Sequence, residues 1–253
     1  MDGRDGFFPK SNLLRRFLAA AWKSASFRQP AALAKSVGVL LLIALLGFLA
    51  FRFDHPVAAL APGAGGSLAH LAGEFSYWGD FLPGTLPLSL GLIVAGALWR
   101  RPGWQRAGLA ALLAAVLAGG LVSSFRITLG RPRPYATATE VSGKLGHVPV
   151  PLLCFGQPAG PDELADGFYG LQKPMLFHSF PSGHASTSMA TAAALAVALP
   201  PVGAVAVLGA CGVCWSRFYL QRHYLSDLTV GGGIGIAVGL YFGFVARRLN
   251  REA

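Results

Sequence analysis

AGLAALLAAVLAGGLVSSF, from Ala107 to Phe125, carries no charge and ends against Arg126. A helix needs roughly 20 apolar residues to cross the hydrocarbon core of a bilayer, and this run meets that length. Five further apolar runs share the pattern: Val37–Phe51 (which Ala31–Leu33 can extend), Phe81–Trp99, Ala185–Leu199, Val202–Trp215 and Leu228–Ala246. The runs from Ala185 and Val202 are short for spans, but the polar clusters at their ends can lie within the interface. Pro200-Pro201 between them is a tight break suited to a helical hairpin. The sequence therefore predicts an all-α integral membrane six-helix bundle.

Composition agrees. Of 253 residues, 53% are hydrophobic and only 13% charged, about half the charged share of ordinary soluble domains. Mean hydropathy is +0.52. A net charge of +10 raises the question of nucleic acid, but most basic residues flank the apolar runs, where they set topology and argue against a nucleic-acid partner. Cys154, Cys211 and Cys214 form no disulfide framework; the last two sit inside an apolar run as small hydrophobes.

Basic residues place three segments on one side: the stretch through Lys35, the connection with Arg100, Arg101 and Arg106, and the tail with Arg247, Arg248 and Arg251. Six crossings then put both termini in the cytoplasm. Residues 1–35 are expected to be a basic cytoplasmic or interfacial segment, with the membrane domain over 36–253. Within the former, Leu13–Phe27 has Leu13, Leu14, Phe17, Leu18 and Ala21 on one side and reads as an interfacial amphipathic helix or a solvated basic arm. Gly231, Gly235, Gly239 and Gly243 form a small-residue stripe, read as packing inside the bundle in preference to a dimer face.

Three polar clusters fall on the opposite, outer face. Arg126 and Arg133 flank a segment broken by Pro132 and Pro134; a helix ending near Arg126 and an extended stretch could bring both guanidiniums to one anion. Arg131 reads as an interfacial anchor or a structural partner. Pro181-Ser182-Gly183-His184 opens a span with free backbone N–H groups, an anion seat with an imidazole beside it. Ser216-Arg217 closes the next, and His223 and Asp227 are spaced to share a helix face, where the carboxylate would fix the imidazole. The surrounding arginines repel a cation and suit an oxyanion, so neither metal nor cofactor is expected. The 135–180 loop reads as a lid or headgroup reader, or as disorder. Neither His147 nor His178 is assigned a catalytic role, though His178 is near enough in sequence to support the site.

Together Arg126-x6-Arg133-Pro134, Pro181-Ser182-Gly183-His184 and Ser216-Arg217-x5-His223-x3-Asp227 resemble the tripartite signature of the type 2 phosphatidic acid phosphatase (PAP2) superfamily. One position departs: the family usually has lysine where this chain has Arg126. The resemblance implies a metal-independent lipid phosphatase at the outer face of a bacterial inner membrane. His223 would be the nucleophile forming a phosphohistidine, Asp227 its support, and His184 the general acid. Arg126, Arg133, Arg217, Ser182 and the Gly183 amide would hold the phosphoryl oxygens. Implied substrates are a polyprenyl pyrophosphate, phosphatidylglycerophosphate, phosphatidic acid or a lipid A phosphate. The alternatives are a phosphotransferase using the same intermediate and a non-catalytic lipid-phosphate-binding membrane protein.

Overall fold

The computed structural model describes residues 13–24, 30–158 and 160–252. Among these residues ten α-helices follow in chain order: α1 (Leu13–Ser24), α2 (Pro30–Phe51), α3 (Asp54–Ala58), α4 (Ala69–Trp78), α5 (Leu86–Leu98), α6 (Pro102–Leu129), α7 (Ala138–Leu145), α8 (Gly183–Ala198), α9 (Pro200–Tyr219) and α10 (Leu225–Arg251). A π-helical turn, Phe81–Thr85, leads into α5, and two short antiparallel strands, β1 (Leu153–Gly156) and β2 (Asp166–Phe168), lie between α7 and α8.

Among the described residues, Leu33–Phe51, Phe81–Leu98, Pro102–Leu129, Pro200–Tyr219 and Leu225–Arg251 are long and apolar enough to cross a membrane. α8 is the sixth helix of the bundle. Its 16 residues span only about 24 Å, yet it packs against α6, α9 and α10 and so is shielded by its neighbours. Its Ala, Ser and Thr side chains fit that central place, since small residues let neighbouring backbones approach. α2 is the opposite case, with Leu40, Leu41 and Phe48 exposed as lipid-facing residues are.

The expected spans need local correction. α6 runs past Arg126 to Leu129 and stops at Gly130, whose left-handed conformation (φ 61°) closes the helix. α9 is 20 residues long because Pro200 and Pro201 begin it; proline is tolerated in a first turn, where its missing N–H has no acceptor. α10 starts at Leu225, leaving His223 ahead of the helix.

The glycine stripe of α10 lies against α8. A Cβ built at Gly231, Gly235 or Gly239 would collide with the carbonyl oxygen of Ser182, Ser186 or Ala190 respectively, and one at Gly243 would press on Ala194 and Val197. The stripe is therefore internal packing, and its first member meets the Ser182 backbone of the second polar cluster.

At the other end, α1 forms over Leu13–Ser24, while residues 25–27 of the expected helix lie outside the described residues. α1 buries Phe17 and Ala21 against the bundle, Phe17 stacking on Phe242 at 6.2 Å. Leu14, Leu18 and Trp22 stay exposed. The 135–180 segment is folded: Ala136, Val141, Tyr169, Leu176 and Phe177 form a small core of their own.

Gly235→Ala should lower the melting temperature in detergent by an amount equivalent to about 1–3 kcal/mol, as overpacking does. Gly209→Ala on α9, where a Cβ meets nothing within 4 Å, should leave it unchanged.

Candidate active site

The first polar cluster straddles the end of α6. Arg126 sits in its last turn with Nη1 close beside Gly183, 3.1 Å from where a Cβ would be. Glycine there lets the guanidinium reach the start of α8. The chain then turns extended through Pro132, and the Arg133 N–H donates to the Leu176 carbonyl at 2.8 Å. That bond fixes Arg133 to the folded 135–180 segment.

The second cluster is the N-terminus of α8. Ser182 is its N-cap: the Oγ accepts from the Ala185 N–H at 3.4 Å, and the Ser182 N–H donates to the Asp227 carbonyl at 3.0 Å. His184 follows in the first turn with its side chain part-exposed. The third cluster spans the end of α9 and the start of α10. Arg217 is buried and its Nη1 donates to Ser76 Oγ of α4. His223 is 1% exposed.

Four buried side-chain nitrogens have no hydrogen-bond partner among the described residues: Nε of Arg126, Arg133 and Arg217, and Nε2 of His223. All belong to the sequence-derived set. The charges of Arg126 and Arg133 act on each other, as do those of Arg133 and Arg217, and His184 feels all three guanidiniums and His223. Buried donors are normally paired, because leaving one unmade costs about 1–3 kcal/mol and more for a charged group. A tetrahedral oxyanion is the ligand that would satisfy the three guanidiniums together.

His223 is held from its other side. Nδ1 lies 2.9 Å from the Ser179 carbonyl and 3.6 Å from Asp227 Oδ2. With Nδ1 donating to the nearer oxygen, Nε2 carries the lone pair, and the charges of Arg217 and Arg133 act on the ring. Burial pulls the His223 imidazole down to about 4 against the opposing pull of Asp227, so the ring is neutral at ordinary pH. The expectation that His223 and Asp227 share a helix face is corrected: only Asp227 is helical, and the two meet because the chain turns into α10 between them. The Asp227 carboxylate is itself fixed by Ser179 Oγ at 2.5 Å, the Tyr224 N–H at 2.8 Å and Arg131 Nη1 at 2.9 Å.

Arg131 is no interfacial anchor; the structural-partner reading holds. It is fully buried. Its Nε and Nη2 grip Asp166 at 2.9 and 2.8 Å, Nη2 also reaches Asp54 at 2.9 Å, and Nη1 reaches Ser226 at 2.7 Å as well as Asp227. The guanidinium also lies over the rings of Phe51 and Tyr224, at 4.7 and 4.1 Å. Burial works against its charge, but Asp227, Asp166 and Asp54 outweigh that and hold it more firmly protonated than usual. Burial pushes the Asp54 carboxyl above the usual carboxylate range despite Arg131, which limits the negative charge gathered there. Arg133 differs: burial, with Arg222 adding, pulls it below its ordinary value.

Sequence reading missed Asp54, Ser76, Asp166, Ser179 and Ser226. Asp54 and Ser76 precede the first cluster, Asp166 and Ser179 lie between the first two, and Ser226 stands inside the third, with no shared spacing to mark them. His178 supports the site indirectly: Nε2 lies 2.9 Å from the Gln172 carbonyl, and its backbone bridges to Arg131. His147 is exposed, with Nδ1 3.2 Å from the Leu145 carbonyl.

The model of the PAP2 superfamily matches residues 107–250, which hold all three clusters. The chain belongs to the PAP2 superfamily and is a multi-pass membrane protein of it, a lipid phosphatase in general terms. Among solved structures, it is similar to the first transmembrane PAP2-type phosphatidylglycerolphosphate phosphatase from Bacillus subtilis. That match has 20% identity and a TM-score of 0.39, over 95% of this chain and 94% of the other. No curated protein sequence matches.

Two substitutions separate the arginines. Arg131→Met strands three buried carboxyl groups and should destabilise the protein by about 3–5 kcal/mol in denaturant or thermal unfolding. Arg126→Met removes a guanidinium with an unmet donor and should leave stability unchanged or raise it, while phosphatase activity falls at least about a hundredfold.

Proposed function

We propose that the protein hydrolyses a phosphate monoester or pyrophosphate on a lipid headgroup through a phosphohistidine, without a metal, at the outer face of the membrane. The observation that carries this reading is that His223 Nε2 and the three guanidinium Nε atoms are buried without partners among the described residues, on side chains whose charges act on one another. His223 Nε2 attacks phosphorus while the ester P–O bond breaks, and His184 protonates the leaving oxygen. Water then attacks the phosphohistidine, its proton passing to His184, which is thereby reset. Arg126, Arg133 and Arg217 stabilise charge on the equatorial oxygens, with Ser182 and the Gly183 amide lining the anion seat at the start of α8.

Membrane placement supports a lipid substrate. A cleft of about 860 Å³ is lined by Leu40, Phe48, Phe51, Phe125 and Phe180 and includes Pro181, next to Ser182. Another, of about 610 Å³, is lined by Phe75, Trp78, Leu88 and Val213 and includes Gly79 and Ser188. Either offers a hydrocarbon tail an apolar groove on an element that also carries part of the site. The positive-inside pattern supports cytoplasmic termini and an outward site in a bacterial inner membrane.

The test is phosphate release by purified protein in detergent with EDTA present. The panel holds a polyprenyl pyrophosphate, phosphatidylglycerophosphate, phosphatidic acid and lipid A. Release from at least one lipid, absent in a folded His223→Ala variant, is expected. Turnover that persists in His223→Ala, or that EDTA abolishes, would overturn the reading.

A further inference from the structure

The family match begins at residue 107, yet one carboxylate from before that point faces the site. Asp80 Oδ2 lies 4.0 Å from His184 Nε2, within ion-pair range though long for a direct hydrogen bond. Its charge also acts on Arg126 and Arg217. Asp80 is 59% exposed at its side chain and His184 21%, so the pair sits at the mouth of the cradle, whereas His223 is at its base.

Its position is fixed from several sides. Asp80 Oδ1 accepts the Phe81 N–H at 2.7 Å, capping the turn into α5 and leaving Oδ2 free toward His184. The Asp80 N–H donates to the Tyr77 carbonyl and its carbonyl accepts the Gly84 N–H, each at 3.1 Å. Thr85, at the end of the same turn, pairs with Thr191 of α8 at 3.2 Å between hydroxyl oxygens. On the other side α4 is tied to α9 by Ser76 on Arg217 and by the edge-on contact of Phe75 with Trp215. The turn that carries Asp80 is thus bound to the two helices that carry His184 and Arg217.

A general acid must hold its proton while it waits for the leaving oxygen. The groups that act on His184 are Arg217, His223, Arg133 and Arg126. Three of these are permanent cations, which disfavour an imidazolium. Asp80 is the fixed anion on the mouth side that opposes them.

We propose that Asp80 is a positioning residue for the leaving-group step: its carboxylate stabilises protonated His184, and so governs proton delivery to the departing lipid oxygen. This rests on the phosphohistidine reading above. In the first half-reaction the N–P bond to His223 forms, the P–O ester bond breaks, and the His184 proton goes to that oxygen. In the second the water O–P bond forms, the N–P bond breaks, and the water proton returns to His184. Asp80 exchanges no proton in either half.

The test compares Asp80→Asn with wild type on two substrates: an alkyl lipid phosphate, whose alkoxide must be protonated to leave, and p-nitrophenyl phosphate, whose phenolate leaves unaided. Asparagine caps a helix start as well as aspartate, so folding is preserved. The expected result is a fall in kcat of about tenfold on the lipid, with little change on the aryl phosphate and no rise in KM for either, because the phosphate meets one anion fewer. Asp80→Glu should restore most of the lipid rate. Equal loss on both substrates, a raised KM with unchanged kcat, or no loss on the lipid would overturn the proposal. If wild-type protein releases phosphate from neither substrate, the phosphatase reading itself fails.

Discussion

The buried Arg131 guanidinium is the contact on which the rest of the outer face depends. It binds Asp54 from the segment after α2, Asp166 from β2 and Asp227 from α10, while its own backbone follows α6. Four stretches distant in sequence therefore meet at one cation. An arginine suits this because its planar fork serves several acceptors at once and stays charged when buried. A lone buried charge would be very costly; here each donor direction finds a carboxylate or hydroxyl, and two aromatic rings cover the faces. The hub keeps the Asp227 carboxylate in place, and Asp227 and the Ser179 carbonyl hold His223.

Arg126, Arg133 and Arg217 show the reverse arrangement in the same small volume. Each is more than half buried, each has an Nε without a partner among the described residues, and their charges repel one another. The fold therefore satisfies one arginine fully and leaves three in want of an anion. Under the proposed mechanism such a cradle is organised before the phosphate arrives, so little reorganisation is needed as charge develops in the transition state. Stability comes from elsewhere, above all from the close backbone contact of α10 with α8 along the glycine stripe.

Much of this was legible in the sequence. The six apolar runs correspond to the six helices of the bundle, because length and hydrophobicity alone decide whether a segment can satisfy its backbone in lipid. The stripe at Gly231, Gly235, Gly239 and Gly243 was legible through its four-residue period. The eight proposed site residues were legible because each cluster breaks an apolar run. What could not be read was Arg131 as a hub, since its partners Asp54 and Asp166 stand 77 and 35 residues away with no shared pattern. Asp80 was hidden for the same reason. Nor does spacing reveal that His223 precedes α10, because a four-residue interval fits a helix and the turn into one equally well. Charged residues in loops owe their roles to tertiary contacts, and no local period records those.

The central claim is that the neutral Nε2 of His223 becomes covalently bonded to phosphorus. The most direct measurement is rapid acid-free quenching of a His184→Asn variant during turnover of labelled p-nitrophenyl phosphate, followed by peptide mapping. With water activation impaired, the intermediate should accumulate as label on His223, stable to base and lost in acid. Continued turnover with no covalent label, or label on any other residue, would contradict the account.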